Sequence, residues 1–419
     1  MDAFYVSVEE QADPSLVGKP VVVGGQGARG VVASCSYEAR RFGIHSAMPT
    51  MQARRLCPAA VFLPGRHDAY AEASRQLHAL LAEFTPLVEG IALDEAFLDV
   101  RGAQRLLGTA PEMAWAIRAA VTDRLGLSCS VGVARSKLLA KLASKRAKPQ
   151  LSPEGVRPGP GVVVIRQDEE LTFLHPLPVG ALWGVGPKTA TRLGRLGVTT
   201  VGDLAALPEE AVIAALGQAV GRQLHRLAWA DDPRAVEPDR ATKSISQEET
   251  YATDLRDVAH LRRQVVRMAD AVGGRLRAQG LQGRTVTLKV RFADFSTITR
   301  SRTLTEPTGT ASMVAAVANS LLDGVDISGG VRLLGVGLSS LVARQTPPRQ
   351  LSLDDVAERD SGRDQVDSAV DAVRARFGAG AVGPAVLLEP GGPAGSAPGT
   401  RPSLDVKRAG DPQWGPSSS

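Results

Sequence analysis

Thr285 to Phe292, TVTLKVRF, alternates without a break, with Val286, Leu288, Val290 and Phe292 on one side and Thr285, Thr287, Lys289 and Arg291 on the other. Successive side chains of an extended chain point to opposite faces, so this is a strand with one face in a core and one in water. Such a strand needs an apolar layer over it, and its neighbours supply one. Asp257 to Gln279 places Leu261, Val265, Met268, Val272 and Leu276 at steps of three and four, which is a helix with one apolar stripe. After a short turn at Asp294 a second strand is expected over Ser296 to Leu304, then a helix over Thr310 to Leu322 and a strand over Val331 to Ser339, with Ser244 to Tyr251 leading the block. The order is β-α-β-β-α-β, a ferredoxin-like α+β pattern. From Lys243 to Ser340 there are 13 Lys/Arg against 9 Asp/Glu, which supplies most of the chain's net charge of +5. A basic sheet suits a phosphate backbone, and a merely solvated face is the alternative.

That block is part of a chain of 419 residues, too long for one core. Two seams divide the rest: the Pro/Gly-rich stretch Ser152 to Gly161, and the proline-bearing DDPRAVEPDRATK from Asp231 to Lys243. Folded blocks are expected at about 1 to 165, 166 to 232 and 244 to 341, the first closed by the apolar run Val162 to Ile165. From about Val382 onward Pro, Gly and Ser dominate, and a disordered tail is expected over 382 to 419. The three cysteines, Cys35, Cys57 and Cys129, are far apart and lack CxxC spacing, so neither a disulfide framework nor a zinc site is legible. No apolar run approaches the roughly 18 residues of a membrane span, and MDAFYVSVEE does not read as a signal peptide. A cytoplasmic protein without membrane contact is the expectation.

Two short sequences carry chemistry. In LWGVGPKTATRLGRLGVTTVGDLAAL, Gly184-Val185-Gly186-Pro187-Lys188 is a tight turn feeding a helix over Thr189 to Leu196, and a second helix begins near Val201. In this helix-hairpin-helix, Gly184 and Gly186 let backbone N–H groups approach a phosphate while Lys188 adds charge and nothing reads bases. A ligand-free helix corner is the alternative. The second sequence is the acidic pair Asp94-Glu95 within VEGIALDEAFLDV. Adjacent carboxylates between apolar stretches are costly unless a cation compensates them. A surface turn is the plain reading. Phosphoryl transfer is the sharper one, because two divalent ions about 3.5 to 4 Å apart need shared carboxylates, and hard oxygen ligands select Mg²⁺.

MDAFYVSVEEQADPSLVGKPVVVGG, SCSYEARRFGIHSAMPTMQARRLCP, LPGRHDAY, ALDEAFLDV, SVGVARSKLLAKLASKRAKP and the helix-hairpin-helix follow one another between Met1 and about Leu341. In order and spacing they resemble the motifs of the Y family of lesion-bypass DNA polymerases, bacterial DNA polymerase IV type. The resemblance implies template-directed, error-prone DNA synthesis from dNTPs on a primer-template by two-metal catalysis with Mg²⁺. It also implies a right-hand architecture: a ferredoxin-like palm at 1–9 and 67–165, fingers at 10–66, a helix-hairpin-helix thumb at 166–232, a linker at 233–243 and a little finger at 244–341. Asp94 and Glu95 inherit the metal-binding, catalytic roles, with Ala92 where the family usually has serine. Tyr5 falls on the steric gate that excludes a 2′-OH, and a strand reading of Phe4-Tyr5 leaves one of the two rings outside the core. Ser34, Tyr37, Arg40 and Lys148 match the dNTP-binding positions, Arg40 by bidentate phosphate contact. Arg41 and Lys145 are read as solvated charges, and Arg300 and Arg302 of the second little-finger strand as DNA contacts.

One departure accompanies the match. The family opens with a strand ending in a V-D-M-D-like sequence whose first aspartate is a metal ligand, and this chain starts at the methionine of that motif, with Asp2 matching a non-ligand. The expectation is a late-assigned start, weak metal binding in the chain as written, and an α-amino group where the family has an anion. Within 342–381, Gln350, Leu351 and Leu353 resemble the Q-L-x-L peptide by which bacterial polymerases dock on the sliding clamp (β subunit), and Val366 to Phe377 reads as a short amphipathic helix. A monomer is expected. The alternative to the enzyme is a catalytically impaired, clamp-tethered DNA-binding accessory subunit of a mutagenesis complex.

Overall fold

Leu261, Val265, Met268, Val272 and Leu276 are all fully buried on one face of the helix Val258–Ala278, which lies over a sheet of long antiparallel strands. This computed structural model describes residues 1–344, 358–378, 380–387 and 404–408, and the chain divides into two compact units after Arg240. In the second unit the strand order is Thr297–Thr308, Leu281–Phe292, Val331–Ala343, Thr242–Leu255 and Leu404–Arg408. With the helices Val258–Ala278 and Ala311–Asp323 on one face, the first four strands give the expected β-α-β-β-α-β order. Val286, Leu288 and Val290 point into the core, as their alternation requires. Fully burying a side chain of this size contributes about 1.5–3 kcal/mol, so this stripe and the helical one are the main source of the unit's stability.

One C-terminal helix is longer than expected. The helix expected from Val366 begins earlier, running Glu358–Phe377, and it belongs to this unit. Asp367 and Asp371, one turn apart, meet the buried Arg277, and Arg374 forks onto Asp270 at 3.2 and 2.9 Å. Within the expected C-terminal tail, Leu404–Arg408 run alongside the edge strand Thr242–Leu255. An exposed strand edge offers unpaired N–H and C=O groups, which is what five residues of extended chain can use. Gln350, Leu351 and Leu353 lie outside the described residues.

In the first unit, Val32–Cys35, Val21–Gly24 and Val61–Leu63 form a small mixed sheet over a cluster that includes Cys35, Ile44 and Cys57. All three cysteines are free and buried. Two further ladders, Val88–Ala92 with Glu95–Leu98 and Val131–Val133 with Val162–Val164, pack with the helices His67–Ala82 and Ala110–Leu125; no strand joins them into one ferredoxin-like sheet among the described residues. The helix-hairpin-helix region packs its own apolar residues with Leu138, Leu139 and Leu142 of the helix Lys137–Arg146.

The chain's first element is a helix, Phe4–Ala12, and not the strand on which the reading of Phe4-Tyr5 relied. Phe4, Val6, Val8 and Glu9 are all buried, so the alternation of apolar residues marks a helix enclosed on nearly every side.

Candidate active site

Asp94 stands at the tight turn between Val88–Ala92 and Glu95–Leu98, and Glu95 opens the second of these strands. The turn throws both carboxylates to the rim of a cavity of about 210 Å³, whose other polar walls include Lys141 and Lys148. Lys141 donates to Glu95 at 2.9 Å. Lys148 donates to the main-chain oxygen of Met1 at 3.1 Å, and the α-amino group of Met1 donates to Asp94 O at 2.8 Å and lies 3.8 Å from Asp94 Oδ2. Partial burial pushes the Asp94 carboxyl above its ordinary range and the charge of Glu95 adds to this, opposed by the Met1 ammonium and Lys148. Burial would raise Glu95 as well, but Lys141 outweighs it and holds that carboxyl below its usual range. Asp2 is turned elsewhere: its buried carboxylate accepts both contacts of the Ser130 hydroxyl, at 2.9 and 3.0 Å.

The donor chemistry of Asp94 and Glu95 fits a hard divalent cation, since two crowded carboxylates facing ammonium groups form a place where positive charge is already required. Among the described residues no group of three or more Asp, Glu, His or Cys is placed to hold a metal, so this pair is the whole acidic complement of the site.

Tyr5 lies one turn of chain away, on the helix that starts after Ala3, whose φ of +45° turns the chain from Asp2 into the helix. Its ring stacks on Tyr70 with centroids 4.1 Å apart and planes within 10°, and His67 meets both rings edge-on. The stack is anchored from below. Tyr70 is fully buried, its hydroxyl donates to Glu9 at 2.5 Å, and Glu9 is forked by Arg66 at 3.0 and 2.8 Å. Burial raises the Tyr5 phenol, and the charge of Asp94 is near enough to raise it further.

Tyr37 and Arg40 share the short helix Tyr37–Arg40, capped by Ser36, with the Arg40 guanidinium 4.4 Å over the Tyr37 ring. The Tyr37 hydroxyl is buried without a hydrogen bond, and burial followed by the Asp2 charge pushes it up to about 12. Ser34 is half-buried on the adjoining strand Val32–Cys35. Arg41 and Lys145 are exposed, yet Arg41 donates to the carbonyl of Pro153 at 3.2 Å, and partial burial with the charge of Lys141 holds Lys145 below its ordinary range.

In the helix-hairpin-helix, Gly184 has a φ of +98°, where any side chain would be strained, and Gly186 caps the helix Pro187–Gly194 with open space beyond it. Lys188 is exposed on that helix's first turn. In the second unit Arg300 and Arg302 are exposed, but they pair with Leu288 and Val286 and so share the helix-covered face; Arg302 donates to Ser320 of the helix Ala311–Asp323. The open face carries Thr287, Lys289, Thr299 and Ser301, with Gly335 and Gly337 on the neighbouring strand.

The comparisons with known proteins agree with one another. Residues 1–145 match the model of the impB/mucB/samB family, residues 167–198 the IMS family HHH motif, and residues 242–353 the impB/mucB/samB family C-terminal domain. The chain is 41% identical over 389 residues to a DNA polymerase IV of Desulfatibacillum aliphaticivorans, covering 93% of this chain and 95% of that protein. The chain belongs to the Y family of DNA polymerases. A DNA polymerase IV of Streptomyces coelicolor is 50% identical over 343 residues, covering 81% of this chain and 70% of that one. The fold agrees: a Y-family DNA polymerase chimera, Dbh-Dpo4(243-245)-Dbh, superposes with a TM-score of 0.71 at 25% identity over 82% of this chain and 97% of the chimera. An insertion ternary complex of Dbh DNA polymerase gives a TM-score of 0.58 at 25% identity over the same shares, 82% and 97%. The protein is thus a DNA-directed DNA polymerase of the translesion class with palm, thumb and little-finger architecture, and such polymerases depend on divalent metal.

Sequence reasoning missed three contributors to this site: Lys141 on Glu95, Ser130 on Asp2, and the Glu9–Arg66–Tyr70 anchor beneath Tyr5. The signal for the last was present, since Arg66, His67 and Tyr70 all lie in LPGRHDAY. Only a fold pairs that motif with Glu9, 57 positions from Arg66 and 61 from Tyr70.

Proposed function

We propose that the chain transfers a nucleotidyl group from a dNTP to the 3′-OH of a primer at Asp94 and Glu95, using two Mg²⁺ ions. The carrying observation is the acidic pair itself, crowded at the rim of a cavity with Lys141 and Lys148 on its other walls. Asp94 and Glu95 hold the ions, and Mg²⁺ there supplies a Lewis acid that lowers the pKa of the attacking hydroxyl and neutralises developing phosphate charge. Lys148, Arg40, Tyr37 and Ser34 hold the triphosphate, and the Tyr37 hydroxyl, buried without a hydrogen bond, is a donor in search of an acceptor. Tyr5, fixed by its stack on Tyr70, closes the space below the sugar. Gly184, Gly186 and Lys188 hold the DNA backbone from the thumb, and the C-terminal unit grips it with the polar open face of its sheet, Arg300 and Arg302 reaching round from the edge strand Thr297–Thr308. The thumb and little-finger boundaries follow the sequence seams, and the palm (1–9 and 67–165) and fingers (10–66) follow the family resemblance. Q-L-x-L at Gln350, Leu351 and Leu353 supports docking on the sliding clamp (β subunit), and a cytoplasmic monomer fits a chain in which no described helix is long and apolar enough to cross a membrane.

Metal dependence tests the two-ion site. Single-nucleotide incorporation should vanish in chelator and rise with Mg²⁺ at an apparent order near two below saturation. A first-order rise throughout would reject the second ion.

A further inference from the structure

The stretch from Asp231 to Arg240 contains no helix or strand, yet it is fastened along its length to the unit that bears the active site. Asp232, its side chain 1% exposed, accepts the N–H of Leu138 at 2.9 Å and is forked by Arg234 at 2.6 and 2.9 Å. The Arg234 guanidinium lies 4.7 Å over the Trp183 ring. Further on, the carbonyl of Ala235 accepts from Lys137 Nζ at 2.9 Å, the N–H of Glu237 donates to Glu89 at 2.9 Å, and Arg240 stands 3.3 Å from Glu89. Glu89 and Lys137 are paired with each other at 2.5 Å, their side chains 1% and 4% exposed.

A buried ion pair is expensive to build, and a hydrophobic pair of similar volume would often serve stability as well or better. Neither residue faces the cavity beside Asp94. Lys137 Nζ and Glu89 Oε2 also reach the main chain of residues 235 and 237, and Glu89 Oε1, which makes no hydrogen bond, lies 3.3 Å from Arg240; an apolar side chain could hold none of these groups.

We propose that Glu89 and Lys137 form a lock that straps Asp231–Arg240 onto the catalytic unit, so that the free connection to the C-terminal unit begins only at Ala241. The functional consequence rests on the proposed role of the C-terminal unit in gripping DNA. Because the next strand begins at Thr242, the strapped tether is one residue long; Asp232 keeps its own bond to Leu138, so releasing the Glu89–Lys137 lock adds the six residues Ala235 to Arg240. The effective concentration of a tethered binding unit falls roughly as the −3/2 power of tether length once the tether can span its sites, so lengthening it from one residue to about seven should weaken the grip roughly 10- to 20-fold.

The test is the double variant Glu89→Met/Lys137→Met, which removes both anchors and leaves no partner of that pair charged and alone; Arg240 keeps its contact with Glu237. Hydrogen exchange of the amides of residues 233–240 should accelerate at least tenfold, with the Glu237 amide foremost and the remaining amides of the unit unchanged. Nucleotides added per DNA-binding event, counted with a DNA trap, should fall by about the same factor, while single-turnover incorporation from a preformed complex stays within twofold. Arg240→Gln leaves the buried pair intact and should move both readouts part of the way, which keeps the proposal testable if the double variant folds poorly. Unchanged exchange at residues 233–240 in either variant would overturn the strap. Faster exchange with undiminished nucleotides per binding event would overturn its role. The exchange measurement needs no DNA, so it judges the strap separately from the gripping role of the C-terminal unit.

Discussion

Replacing Asp94 or Glu95 with alanine is expected to lower primer extension by on the order of 10³-fold or more, equivalent to about 4 kcal/mol of barrier, while primer-template affinity changes by less than about twofold. The two effects separate because they arise in different parts of the chain. The carboxylates sit at one turn beside a cavity, and the groups proposed to hold the DNA backbone are Gly184, Gly186 and Lys188 and the sheet of the C-terminal unit. With no third acidic or imidazole group at the site among the described residues, nothing present can take over from either carboxylate. Affinity is best read by fluorescence anisotropy and extension by single-nucleotide incorporation on the same DNA. Wild-type-like extension by either variant would remove the metal-binding assignment.

The second large effect is expected at Tyr5. Tyr5→Ala should raise incorporation of ribonucleotides relative to deoxyribonucleotides by on the order of 10²-fold, the range in which a shape-based pocket discriminates. Tyr5→Phe should leave discrimination nearly intact, because the stack on Tyr70 holds the ring and does not need the hydroxyl. An apolar offset stack contributes about 0.5–1.5 kcal/mol, enough to keep one orientation dominant. The ratio of kcat/KM for a matched rNTP and dNTP pair is the measurement. An unchanged ratio in Tyr5→Ala would place the gate at another side chain.

Where the pattern of side chains was the pattern of burial, the sequence was legible. The alternation of Thr285 to Phe292 and the three-and-four spacing from Leu261 to Leu276 each matched the observed faces, since one periodicity alone accounts for either. The helix Phe4–Ala12 defeated the same reasoning because it is buried on nearly all sides, and an enclosed helix shows no stripe. Ile298 and Leu304, which alternate with Arg300 and Arg302, pack against the core and draw that face toward the helices, which the charges alone do not show. The strap at Glu89 and the anchor at Glu9 were out of reach, because each joins residues far apart in sequence through a single buried carboxylate. Pairs of this kind leave no local period. The acidic pair at the site was legible for the opposite reason: its chemistry is contained in two adjacent letters.

The central claim is that this chain makes DNA as well as binding it, and incorporation of one nucleotide opposite each of the four template bases tests it most directly. Purified chain, a recessed primer-template and single dNTPs with Mg²⁺ should yield extension that follows the template base and is lost in chelator. Tight binding to the same primer-template with no incorporation of any dNTP, in Mg²⁺ or Mn²⁺, would contradict the account and leave a DNA-binding accessory subunit in its place.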